Sequence, residues 1–63
     1  MIIKAGCYYK NKKNNKYYFV HFLALQITNN IEIDVVVYSD MHNENQFYTR
    51  STEEFFDKFK ETE

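Results

Sequence analysis

The 63-residue chain contains no proline and no tryptophan, and only one glycine (Gly6), one cysteine (Cys7) and one arginine (Arg50). Each shortage excludes something. Tight turns fall to asparagine, which tolerates the left-handed backbone region and hydrogen-bonds its own backbone. One cysteine rules out an internal disulfide and a cysteine-rich metal site. A glycine-rich phosphate loop is impossible with Gly6 alone. No apolar run approaches the roughly 20 residues of a spanning helix, and the opening MIIKAG holds no apolar stretch, so neither a membrane span nor a secretory leader is expected. The expectation is a cytoplasmic protein.

What the chain does have is aromatic side chains, six Tyr and six Phe. Residues 1–63 have room for a single domain, and a fold of this size buries only about 60% of the surface that its unfolded chain exposes. Aromatic burial therefore carries much of the stability, and a homodimer or higher homo-oligomer is expected to add to it. The net charge is −1, unevenly divided: residues 1–31 hold five lysines and no acid, residues 32–63 nine acids and three bases. The richness in asparagine and lysine suits an AT-rich genome such as a phage's.

The pairs Asn14-Asn15 and Asn29-Asn30 and the run HNEN at 42–45 separate apolar segments, which predicts four strands. These are Gly6 to Lys10, Tyr17 to Thr28, Ile31 to Ser39 and Gln46 to Arg50. Strict alternation in the second puts Phe19, His21, Leu23, Leu25 and Ile27 on one face and Tyr18, Val20, Phe22 and Ala24 on the other. Both faces are apolar, as in a strand covered on two sides. In the third, Ile31, Ile33, Val35 and Val37 point inward, with Glu32, Asp34 and Tyr38 outward. After Arg50 the period changes. Ser51 with Glu54 three residues on matches a capping box, and Phe55, Phe56 and Phe59 form a stripe at helical spacing. The predicted fold class is mainly β: a four-stranded, strongly bent antiparallel sheet or SH3-like small barrel, closed by one short C-terminal helix.

The stretches VVVYSDM and FYTRSTEEFF resemble a small family known as the domain of unknown function numbered sixteen fifty-three. Its members read roughly G-x-Y near the start, V-V-Y in the middle and W-V-R-P-x-x-M-F at the end. Gly6 and Tyr8 match the opening, Val36-Val37-Tyr38 the middle, and Arg50 and Phe55 the end. Tyr48 stands where the family has tryptophan, Ser51 where it has proline and Glu54 where it has methionine. The family's N-terminal histidine and following glycine are replaced near Lys10 and Lys13. The resemblance implies a small β domain with no established activity.

A lone arginine among lysines marks a place where planar, forked hydrogen bonding matters more than charge. A hairpin around HNEN sets Tyr38 opposite Tyr48 and Val36 opposite Arg50, with Asp34 diagonal to the guanidinium and all of them on the outer face. Two readings follow. Arg50 pairs with Asp34 and stacks on tyrosine as scaffold, or Arg50 and the helix start grip a phosphate while Tyr38 or Tyr48 stacks on a base. A protein-binding surface uses the same residue types. A different class of function is nucleic-acid binding through Lys10, Lys12, Lys13 and Lys16, whose bland counterpart is a solvated loop. His21 and His42 have no metal-ligand spacing, and a single buried histidine is usually a hydrogen-bonded core residue, so no metal or other cofactor is expected. No nucleophile has a base beside it, which points away from an enzyme. The expected function is a non-enzymatic binding module that recognises a protein or a small signalling nucleotide through Tyr38, Tyr48, Arg50 and Asp34, in a phage a decoy or inhibitor of a host system.

Overall fold

The computed structural model describes residues 3–62. Five strands and one helix follow in order: β1 Tyr8–Asn11, β2 Tyr17–Thr28, β3 Ile31–Asp40, β4 Asn43–Ser51, α1 Thr52–Lys58 and β5 Phe59–Glu61. The strands form one antiparallel sheet in the order β4-β3-β2-β1-β5. It is mainly β with a C-terminal helix, as the residue pattern predicts. The sheet is not closed: β4 and β5 are its two edges.

Asparagine makes the turns. Asn15, Asn29 and Asn30 have φ of 61°, 52° and 64°, the region where asparagine replaces glycine at least cost. The long β2–β3 hairpin turns on Asn29-Asn30, and its two strands run to the residues predicted, except that β3 continues to Asp40. The next turn is displaced. It lies at Met41 and His42, where the His42 amide donates to Asp40 Oδ1 at 2.7 Å, and the rest of HNEN is already strand.

A fifth strand was not foreseen. Ser51 is the N-cap of α1, and its hydroxyl accepts from the Glu54 amide at 3.2 Å, so the predicted cap is present. The helix, however, ends at Lys58. Phe59 is its extended C-cap and opens β5, which pairs with β1 through Asn11↔Phe59 and Tyr9↔Glu61. The phenylalanine stripe thus serves two elements. Phe55 from the helix and Phe59 from the strand stack with centroids 4.2 Å apart and planes 3° from parallel.

These two rings meet Ile3, Tyr9, Val20, Val36 and Tyr38 in the core under the helix. The face assignments read from strict alternation are corrected here. Val36 and Tyr38 lie inward and alternation turns Val37 to the opposite, open face; Val35 is buried outside that core, and Ile33 and Val35 border the cleft beside Arg50. On β2 the register slips between Val20 and Phe22, a β-bulge at His21. An extra residue reverses the parity of everything beyond it. Phe22, opposite Val37, therefore joins Phe19 and His21 on the open face, while Leu23, opposite Val36, returns to the helix side. The bulge cannot be read from apolar periodicity, because β2 is apolar at every position near it.

Candidate functional site

β3 and β4 pair as the sequence suggests, Tyr38↔Tyr48 and Val36↔Arg50. Cross-strand partners share a face, and that face is the helix-covered one, not the outer one. Tyr38 is 4% exposed and touches four aromatic rings, those of Tyr18, Tyr48, Phe55 and Phe59, at centroid distances of 5.3 to 5.6 Å. Its hydroxyl is reached from the rim: Arg50 Nε donates to it at 2.9 Å. Arg50 Nη1 donates in turn to Glu54 Oε1, and the guanidinium carbon lies 6.0 Å from the centre of the Phe59 ring.

Arg50 therefore does use its fork, but the carboxylate it meets is Glu54 and not Asp34. Asp34 pairs opposite Leu25 and borders a neighbouring cleft with Ser51, Thr52, Glu53 and Phe56, and the two described partners of the guanidinium are Tyr38 and Glu54. The signal for Glu54 was present in the sequence, three residues after the cap. A capping-box glutamate is expected to fold back on the cap amide, and here its carboxylate goes to Arg50.

The electrostatics follow from this packing. Burial raises the Tyr38 phenol above its ordinary value of 10.0, and the hydrogen bond and charge of Arg50 offset only part of that. For Arg50, burial alone would lower the guanidinium, but Tyr38 and Glu54 outweigh it and raise it above its ordinary value. The cation is permanent.

An open cleft of about 480 Å³ lies here, lined by Tyr38, Tyr48, Thr49, Arg50, Ser51 and Glu54 together with Gln26, Ile33 and Val35. Tyr48 is 38% exposed, and β4 is an edge strand with one side unpaired. The structure thus brings together three of the four residues singled out for this site and leaves Asp34 apart.

The lysine loop is split. Lys10 lies with its ammonium 5.6 Å from the centre of the Tyr17 ring. Lys12 and Lys13 line a second cleft, of about 410 Å³, with Asn11, Arg50, Asp57 and Lys58; Lys16 is not among its lining residues. The Lys12 amide donates to the Lys58 carbonyl at 2.9 Å, which ties the loop to the helix C-terminus. Lys58 is a member of this group that sequence order hides, 45 residues from Lys13.

His21 is hydrogen-bonded through Nε2 to the buried Ser39 hydroxyl at 2.7 Å. No three His, Cys, Asp or Glu side chains among the described residues stand close enough to hold a metal ion. No described helix is long and apolar enough to cross a membrane. No family model, curated protein or solved structure matches the chain.

Proposed function

We propose that the protein is a non-enzymatic binding module that recognises a protein partner at the cleft beside Tyr38, Tyr48 and Arg50. One observation carries this reading: the sole arginine is already held by Tyr38 and Glu54, beside an exposed Tyr48 on an edge strand. A nucleotide phosphate would have to displace the Glu54 carboxylate. An extended peptide has no such cost, since it can add to the free edge of β4 and set side chains against Tyr48 and the Arg50–Glu54 pair. Tyrosine and arginine are also the residues that most often dominate protein contacts. The architecture that fits this use is a small SH3-like barrel opened between β4 and β5, and in a phage such a module would act as a decoy or inhibitor of a host protein.

Panning an unbiased peptide library on the purified protein tests this reading. Peptides that bind the wild type should weaken about tenfold or more with Tyr48→Ala. Binders indifferent to that change would move the site elsewhere.

A second reading, nucleic-acid binding, is favoured by one observation: Lys12 and Lys13 meet Lys58 and Arg50 around a single cleft, against the one carboxylate of Asp57. Its test is salt. Affinity for single-stranded DNA or RNA should fall steeply between low and moderate ionic strength, and absence of binding at low salt removes this reading.

A further inference from the structure

The helix covers one face of the sheet, and the other carries large apolar side chains that no described element covers. A row of rings crosses that open face from β1 to β4: Tyr8 on Phe19, Phe19 on His21 and His21 on Phe47, with centroids 4.9 to 5.0 Å apart. The row is continuous only because the residue beneath it on β3 is small. Ser39, opposite Phe47, leaves room for the two rings to meet above it and anchors His21 from below. Next to the row comes Phe22, turned to this side by the bulge, and alternation along β3 adds Ile31 at the far end of the hairpin. Four of these side chains are far from buried: Tyr8 47%, Phe22 54%, Ile31 61% and Phe47 56% exposed.

The middle of this face has no charge. From Phe19 to Thr28 on β2, Ile31 to Ser39 on β3 and Phe47 to Ser51 on β4, the residues on this side include no lysine, arginine, aspartate or glutamate. Glu32 and Asp34 fall on the other side, opposite Ile27 and Leu25, while Lys10 and its β5 partner Lys60 lie on this side at the end near the β1–β2 loop. This is notable in a chain where 27% of residues are charged.

We infer that this face is covered by a second copy of the same chain, packed sheet against sheet across a two-fold axis. Three arguments select that occupant. A two-fold contact sets one patch against itself, so charge of either sign near the axis would meet its like; a patch with an uncharged centre, its lysines confined to one end, suits such a contact. Its centre offers no electrostatic complement to a charged partner, which argues against a polyanion or an acidic peptide here. The dimensions also fit. Strands of 12 and 10 residues run about 35 Å, flanked over part of their length by the four residues of β1 and the nine of β4, so with strands about 4.8 Å apart the face is on the order of 500 Å², the size of a small interface of modest affinity. Two such faces would pack about 10 Å apart with His21 and Phe22 near the centre. This goes beyond the cleft reading and stands without it.

The test is the self-association of the intact chain by sedimentation equilibrium, with circular dichroism to confirm folding. The wild type should be a dimer at about 100 µM or below. Phe22→Glu and Phe47→Glu, at side chains already more than half exposed, should keep the monomer's spectrum and each raise the dissociation constant by about 30-fold or more. Leu25→Glu, equally exposed but on the helix side, should leave the dimer intact. A wild type that stays monomeric at that concentration overturns the inference. So does a dimer that survives both phenylalanine changes and is lost with Leu25→Glu, which would place the contact on the other side of the hairpin.

Discussion

Arg50 and Tyr38 lie on neighbouring strands, and the 2.9 Å hydrogen bond from the guanidinium Nε to the phenol oxygen gives a buried hydroxyl its partner. The ring of Tyr38 belongs to the core and its oxygen to the rim, so Arg50 closes the core at the point where it would otherwise leave a polar atom unsatisfied. Lysine keeps the charge but cannot reach Tyr38 and Glu54 at once. Arg50→Lys should therefore lower stability by about 1 kcal/mol in urea unfolding. Glu54→Gln should lose less than about 0.5 kcal/mol, because that ion pair is largely solvent-screened. The two losses should not add. Asp34→Asn should leave the unfolding midpoint unchanged, and a loss there as large as that of Arg50→Lys would contradict the pairing described.

The same phenol makes stability depend on alkaline pH. Burial raises the folded-state value of Tyr38 above 10.0, so the native state holds its proton where the unfolded chain has begun to release it. The contribution is fully present below about pH 10 and is lost as pH rises from there through the raised value. Melting temperature should fall above about pH 10, and Tyr38→Phe should fall less steeply over the same range. Parallel pH profiles for the two proteins would assign the loss to other groups.

Phe55 is the helix's deepest contact, 1% exposed between Phe59, Tyr9 and Tyr38. Truncation to alanine typically costs about 3 to 5 kcal/mol. A chain of this size has little more than that in total, so Phe55→Ala should be unfolded by circular dichroism at room temperature. Phe56→Ala, at a half-buried ring on the same helix, should remain folded.

The strand pairings of β2 with β3 and β3 with β4, the asparagine turn and the Ser51 cap were legible because each rests on local chemistry: backbone tolerance at Asn29-Asn30, alternation, and a hydroxyl ahead of Glu54. What was not legible depends on a competition between distant residues. The bulge at His21 is stabilised by Ser39, 18 residues away, and by Phe47 beyond it. It exchanged the predicted faces of Phe22 and Leu23, and alternation could not detect it in an apolar strand. Likewise β3 offers Val35 and Val37 on one side, Val36 and Tyr38 on the other. Only the helix, by docking its phenylalanines on Tyr38, decides which side becomes core. The Arg50 site was half legible: the pairing of Tyr38 with Tyr48 beside Arg50 follows from the hairpin register, whereas Glu54 is delivered by the helix that the cap begins.

The Asn29-Asn30 turn gives a last prediction, on whether asparagine there acts through its backbone. Two consecutive residues at φ 52° and 64° are what a two-residue hairpin connection requires, and glycine is the residue that meets this demand without strain. If backbone tolerance is the reason for asparagine, Asn30→Gly should hold stability within about 0.5 kcal/mol of the wild type, any gain at the turn being set against the added freedom of the unfolded chain. Asn30→Ala removes the amide and keeps the Cβ, so it should cost about 1 to 2 kcal/mol at this left-handed position. The comparison of glycine with alanine separates conformation from side-chain bonding, since neither carries an amide group. Unfolding in urea reads both, with the slope expected to stay constant while the midpoint moves. Equal midpoints for the two variants would mean that the left-handed geometry imposes no strain, and that the hairpin is held by β2–β3 pairing alone.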